Sequence, residues 1–333
     1  MKIKDRLSAI LILSVLLLLV IDSKTALKSC AEGIELCLQN VIPALFPFLV
    51  LAPMMISYLS FGLPKALRRM IKLPKGADGL LVAGLLGGYP TGAQCIAFAA
   101  QNKNLSVADA NRLMAFCCNC GPGFVFGLCG SLFSWHWAAL GLWLCHIAGA
   151  LIVGWLIPGE CNSNCTLHRD KTNLTQAVTK AIKAMAQICS WVIIFRCMLG
   201  FLRKWLLCKL NIHAAVLITG ILEMTNGCLA LEQIGNCGLR FAICEAIISI
   251  GGLCVAMQTA SVIKPTKMGL YIPGKLAHCF ISTLLAAAVW TIHTKNWLGA
   301  SVLAGVILAI LAAAKTIAVK KENYSRNLSP SIV

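Results

Sequence analysis

Acidic side chains are scarce in this chain: 12 Asp and Glu against 29 Lys and Arg in 333 residues, with charged residues of all kinds at 12%. So little charge leaves no stretch polar enough to surface a water-soluble domain. Without such a domain the formal net charge of +17 points away from nucleic acid and toward the ends of membrane spans and anionic headgroups. The chain also lacks a phosphate-cradling Gly-rich loop with its lysine, an HExxH run, paired aspartates and a nucleophile spaced to a base. These absences argue against nucleotide-driven transport and against an intramembrane enzyme, so no enzyme activity and no cofactor are expected.

What is present is apolar. Hydrophobic residues reach 59% and the mean hydropathy is +0.81, which predicts an all-α polytopic membrane protein whose partner is the lipid bilayer. The 18 cysteines lie mostly inside apolar runs, among them Cys95, Cys129, Cys145, Cys189, Cys244 and Cys279, where they behave as small hydrophobes. Neither Cys117-Cys118-Asn119-Cys120 nor the set Cys161, Cys165 and His168 has a paired zinc spacing, so no metal is expected.

Lys2, Lys4 and Arg6 precede an apolar run over 7–21 that no small-x-small cleavage site follows, which predicts a retained first helix. Over 25–41, Leu27, Ile34, Leu38 and Val41 form a stripe with Lys28, Glu32 and Glu35 elsewhere on the wheel. That reads as an amphipathic helix near the membrane surface. A span over 43–61 leads to a basic loop with Lys65, Arg68, Arg69, Lys72 and Lys75. Residues 79–100 run apolar on both sides of Gly87-Gly88-Tyr89-Pro90-Thr91-Gly92. About 20 residues are needed for one crossing, so a 22-residue stretch broken at its middle fits a re-entrant hairpin. Ser106 with Asp109 caps the next helix, which breaks at Asn119-Cys120-Gly121-Pro122-Gly123 and resumes at Phe124. A plain span over 137–157 and a polar loop over 158–173 complete the first half.

The second half repeats the plan. A span over 184–202 precedes a second interrupted hairpin over 212–234, broken at Glu223-Met224-Thr225-Asn226-Gly227. A helix over 239–263 is interrupted at Gly251-Gly252, and spans over 271–291 and 298–319 close the chain. Thr91-Gly92 overlays Asn226-Gly227, and Gly121 overlays Gly251 at an offset differing by a short indel, as in a diverged duplication. Basic residues place the N- and C-termini, the loop 62–76, the linker 158–183 and the loop 264–275 in the cytoplasm of a multi-pass cell-membrane protein, with Lys24, Lys28, Arg203, Lys204, Lys209, Arg240 and Lys295 outside. The two halves are then inverted repeats, each with a re-entrant helical hairpin and a discontinuous helix, as alternating access requires.

The runs Leu86 to Ala93, Arg112 to Phe116 and Asn119 to Phe124, with Glu223 to Gly227 and Gly251 to Gln258 in the second half, resemble the nucleoside-recognition or Gate domain, and within it the sporulation integral membrane proteins of endospore-forming bacteria. Gate domains are in turn similar to parts of concentrative nucleoside transporters and to the membrane portion of ferrous iron permeases. The resemblance covers roughly residues 35–290 and implies a role in spore formation without naming a solute. The organisation it implies is an N-terminal transmembrane helix plus amphipathic helix over 1–41, a first Gate-like repeat over 42–157, a polar linker and amphipathic helix start over 158–183, a second Gate-like repeat over 184–293, and a closing transmembrane helix with cytoplasmic tail over 294–333.

Glu223 stands out as an ionisable residue in an apolar segment, a functional-site hypothesis by default, against the plainer reading that it ends a helix near water or pairs with Arg196 or Arg240. Thr91 and Gln94 at one break, and Thr225 and Asn226 at the other, offer neutral donors and acceptors for a small polar ligand, or caps for half-helices. Asn119 and Gln258 complete the substrate-binding set. Gly88, Pro90, Gly92, Gly121, Pro122, Gly123, Gly227 and Gly251 are expected to shape the turns. Arg196 is expected to pair with Glu223 across the bundle, His146 to make a satisfied polar contact, and His136 to sit in an interfacial aromatic belt. The expected activity is a permease for a small polar solute, nucleoside-like or ionic, with a coupling ion. The alternative is a non-transporting scaffold in spore-envelope assembly, and homo-oligomer formation stays open.

Overall fold

The computed structural model describes residues 3–58, 62–159, 165 and 172–328. Cys161 and His168 lie outside the described residues. Cys165 is buried with a free thiol, its backbone N–H donating to the Lys75 carbonyl at 2.7 Å.

Helices account for the regular structure, and among the described residues six helical segments are long and apolar enough to cross a membrane. The first elements are α1 (Ile3–Ile21) and α2 (Ser23–Leu36), and a π-helical turn, Cys37–Val41, carries α2 directly into α3 (Ile42–Tyr58). A short α4 (Lys65–Met70) leads to α5 (Asp78–Leu86) and α6 (Thr91–Gln101), the two arms of the first hairpin. Next come α7 (Val107–Met114), a non-helical break, α8 (Pro122–Phe124) continuing through a π turn, and the span α9 (Ala138–Leu156). In the second half α10 (Leu174–Trp205) precedes the second hairpin, α11 (Ile212–Leu222) and α12 (Met224–Ala230). Then follow α13 (Cys237–Ile250), α14 (Gly252–Val262), α15 (Tyr271–His293) and α16 (Trp297–Leu328).

Local chemistry sets these boundaries. Ser106 accepts from the Asp109 N–H at 3.1 Å, the cap expected for α7. Asn173, Asn211 and Asn236 do the same for α10, α11 and α13, each accepting from the N–H three residues on at 2.9, 2.9 and 3.0 Å. Pro122 occupies the first turn of α8, where its missing N–H costs nothing.

Packing joins the two halves into one core. α15 lies against both α13 and α9, and the buried cluster runs from Ile71 through Phe124 to Ile281. A second cluster forms where α2, the π turn and α3 meet α10. Of the stripe read as the apolar side of a surface helix, Leu27, Ile34 and Leu38 are exposed and Val41 is buried, whereas Ala26, Ser29 and Gly33 face α10. A Cβ on Gly200 would strike the Ser29 side chain, and one on Gly33 would stand 3.1 Å from Arg196 Cβ. The helix is therefore docked on α10 through its small residues. In lipid the close approach of backbones wins the inward face, and large apolar side chains gain as much outside.

Candidate functional site

Both interrupted segments fold as short hairpins with their breaks buried. Arms of 9 and 11 residues in α5 and α6 rise about 14 and 17 Å at 1.5 Å per residue, too little for one crossing each. Gly84 and Gly92 bring the arms together. A Cβ on Gly92 would stand 2.8 Å from Gly84 Cα, and one on either glycine would collide with the Cys117 carbonyl at the discontinuity beyond α7. At the tip, Gly88 takes φ +73° and lies against Gly121. The second hairpin closes by the same device, since a Cβ on Gly227 would run into Gly220. The break that faces it is Gly251-Gly252, both at positive φ, with Gly252 packed on the Gly220 and Ile221 carbonyls.

The two breaks also touch. The Tyr89 hydroxyl at the first tip lies 3.3 Å from the carbonyls of Ile248 and Ser249, at the end of α13 where the second discontinuity begins. α14 packs against α6, α11 and α12 and so carries Gln258 between the hairpins.

The seven site residues fall into separate surroundings. Thr91 is buried in the first turn of α6, and Gln94 is half-buried farther along it. Asn119 is fully buried, its amide donating to the Phe116 carbonyl at 2.8 Å while its Oδ1 completes no hydrogen bond. Gln258 is buried with Nε2 3.4 Å from Cys254 Sγ. Glu223, Thr225 and Asn226 are buried together. The Glu223 carboxylate caps α12, accepting from the Thr225 N–H at 3.0 Å, the Asn226 N–H at 2.7 Å and the Asn226 side-chain amide at 2.6 Å. With three donors in place its burial is compensated. Glu223→Ala is expected to lower stability by about 2 kcal/mol, the upper end for a lost cap, read as a lower unfolding midpoint in detergent.

Arg196 does not meet Glu223 directly. Its guanidinium donates to Asn226 Oδ1 at 2.6 Å and to Glu32 Oε2 at 2.6 Å, so Asn226 stands between the two charges. Arg240 instead donates to the carbonyls of Ile234 and Leu132. The Glu32, Arg196 and Asn226 side chains line an open pocket of about 430 Å³ together with Gln39, Asn40 and Gln233. A neighbouring pocket of about 310 Å³ shares Glu32 and Arg196 and adds Lys28 and Ser29. The polar chamber therefore lies beside the second hairpin, walled by α2 and α10, and of the seven expected residues Asn226 is among those that line it.

A second polar centre was missed by the sequence reading. Four ionisable side chains, His146 on α9, Glu245 on α13 and Lys275 and His278 on α15, are buried together. His146 Nδ1 lies 3.2 Å from Glu245 Oε1, and the Cys120 N–H donates to His146 Nε2 at 3.0 Å. Lys275 donates to the Cys118 carbonyl at 3.0 Å and lies 3.1 Å from His278 Nδ1, while His278 Nε2 lies 2.8 Å from the His146 carbonyl. His146 thus makes the satisfied contact expected of it. Lys275, which falls both in the expected loop 264–275 and in the expected span 271–291, is inside the helix, which starts at Tyr271. The signal was available, because a lone Glu and a lone Lys inside apolar helices mark a site by default.

These features make the chain an all-helical multi-pass membrane protein. No family model matches it, and no solved structure does. It is 28% identical over 138 residues to the sporulation integral membrane protein YlbJ of Bacillus subtilis (strain 168), a match covering 39% of this chain and 34% of that protein. The aligned part thus spans about a third of that relative's length.

Proposed function

We propose that this chain is a permease for a small polar solute in a membrane of a sporulating cell. The observation that carries the reading is the pair of broken hairpins, each with its interrupted backbone buried in protein, the Tyr89 tip of the first reaching the end of α13 beside the break that packs on the second. Broken backbone at membrane depth is tolerated where it is covered by protein or lines a watery cavity, and paired breaks in two halves mark the binding site of many secondary transporters. The solute enters at the pocket of Glu32, Arg196 and Asn226, whose charged and amide groups suit hydroxyl-rich or nucleoside-like molecules. The likeness to YlbJ supports the sporulation setting. The Gate-like kinship and the inverted repeat belong to the same reading, supported by matched glycine closures at Gly84 with Gly92 and Gly220 with Gly227.

The test is uptake by protein reconstituted in liposomes, with nucleosides, bases and divalent cations as probes. Asn226→Ala is expected to cut uptake per folded molecule about tenfold or more, the equivalent of one lost charge-assisted hydrogen bond, with a lower melting midpoint from its lost bonds to Glu223 and Arg196. No uptake of any probe would remove the permease reading and leave the scaffold. Orientation is tested separately. Cys208 and Cys237 are exposed and flank segments assigned to the outer face, so a membrane-impermeant maleimide is expected to label both in intact cells. Labelling only after lysis would reverse the topology.

A further inference from the structure

The buried network of His146, Glu245, Lys275 and His278 has a definite protonation pattern, fixed by what each atom faces. A backbone N–H points at His146 Nε2, so that nitrogen accepts and the ring proton sits on Nδ1, toward Glu245. A carbonyl faces His278 Nε2, so that nitrogen carries the proton and Nδ1 accepts from the Lys275 ammonium. Both rings are then neutral, which leaves Glu245 and Lys275 as the two groups of the cluster able to change charge. A proton added to either ring would set a donor against a donor. Glu245 has room for one: Oε1 accepts from the Ser249 hydroxyl at 2.8 Å, while the buried Oε2 faces the Ser282 hydroxyl outside good hydrogen-bond geometry.

The same network grips the first discontinuity from two sides. Lys275 holds the Cys118 carbonyl and His146 holds the Cys120 N–H, while the Tyr89 ring covers the ammonium at 4.9 Å. We infer that Glu245 is a proton-binding site whose loading releases the strand 118–120 from α9 and α15, making the proton the coupling ion. The coupling role rests on the permease reading, but proton binding and release of the strand do not. A proton on Glu245 leaves Lys275 as an uncompensated charge in a dry interior, which costs several kcal/mol. Water reaching the ammonium relieves that cost, and the cover to be moved is the strand and the Tyr89 tip.

No other charge stands ready to compensate among the described residues. Glu245 is within electrostatic reach of Cys244 beside it on α13, Cys145 on α9, Cys279 on α15, Cys120 in the break and Tyr89 in the hairpin. Cys228 on α12 faces Cys120 and Cys244. Thiols and a phenol are neutral near pH 7 in the absence of an ionising partner. On the other helices packed against α15, Arg112 of α7 donates to the carbonyls of Ile71, Lys72 and Gly154, and Lys315 of α16 is directed to Trp155.

The experiment is maleimide labelling of the full chain in lipid nanodiscs, near pH 7.5 and near pH 5.5, with each site quantified by mass spectrometry. Labelling at Cys118 and Cys120 is expressed relative to exposed Cys208, which cancels the intrinsic loss of thiolate in acid. The ratio is expected to rise about tenfold or more on acidification, within the hundredfold that one linked proton allows over two pH units. Glu245→Gln is expected to hold the ratio high at both pH values. A ratio that does not rise in the unmodified chain, or that responds to pH equally in folded Glu245→Gln, overturns the proposal. Where that variant yields no folded protein, a deuterium-protected infrared band of a protonated carboxyl must appear at the labelling midpoint, and its absence overturns the proposal. Uptake that persists undiminished with the pH gradient collapsed would remove proton coupling and leave the permease. Absent uptake with the labelling response intact would remove the permease and leave the proton site.

Discussion

Gly227→Leu is expected to prevent the protein from folding to a monodisperse species in detergent, because the space its side chain needs is already filled by the opposing backbone. A Cβ there would strike Gly220 Cα, with Gly220 N at 2.8 Å and the Ile247 side chain at 3.3 Å. Ordinary overpacking costs about 1–3 kcal/mol, offset in part by rotamer shifts. Backbone has no rotamer to change, so the cost here is expected to be about 3 kcal/mol or more. Gly92→Leu meets the same obstacle at Gly84 Cα and the Cys117 carbonyl and is expected to fail in the same way. Gly127→Ala is the control. Its nearest neighbour would be Ala44 Cβ at 3.4 Å, and a change within about 0.5 kcal/mol is expected. Size-exclusion profile and melting midpoint check all three, and a well-folded Gly227→Leu would show that the second hairpin does not close as described.

The second large effect is expected from Lys275→Met. Lys275 and Glu245 are buried ionisable groups of opposite sign in one network, and removing one member of such a set typically costs about 3–5 kcal/mol. Here the loss also strips the Cys118 carbonyl and His278 Nδ1 of their donor. Adding Glu245→Gln to Lys275→Met removes the stranded carboxylate, so the double variant is expected to melt above Lys275→Met alone. Additive melting shifts would mean that the two groups do not sense one another across the network.

The positions of the breaks were legible in the sequence because glycine and proline interrupt apolar runs at a length that cannot cross a bilayer. Gly87 to Pro90, Glu223 and Gly251 each separate two helices where expected, and Asn119 to Gly121 lie in the break after α7, the helix resuming at Pro122, two residues before the expected Phe124. What surrounds a break was not legible, because partners come from distant segments. Arg196 and Glu223 were read as a direct pair, and Asn226 stands between them. Glu32 was read only as the polar side of a surface helix, yet it binds Arg196 and lines the pocket. The exposed Leu27, Ile34 and Leu38 agree with a face left to lipid, but the seating of α2 on α10 through Ala26, Ser29 and Gly33 was not legible, since a moment shows which face differs and not what each face meets. Glu245 and Lys275 were visible as charges, but their meaning depends on four residues spread over three helices meeting at the first break.

The π-helical turn at Cys37–Val41 holds one residue more than an α-helical turn would. Because that surplus is absorbed within one turn, the helices on either side keep their faces, and Ser29 and Gly33 stay on the α10 seam with Glu32 opposite Arg196. Deleting Gln39 would return the turn to α-helical with this register kept. A second deletion would have no surplus to consume and would swing α2 about 100° around its axis, so the wall of the pocket tolerates a chain shorter by one residue at this bend and not by two.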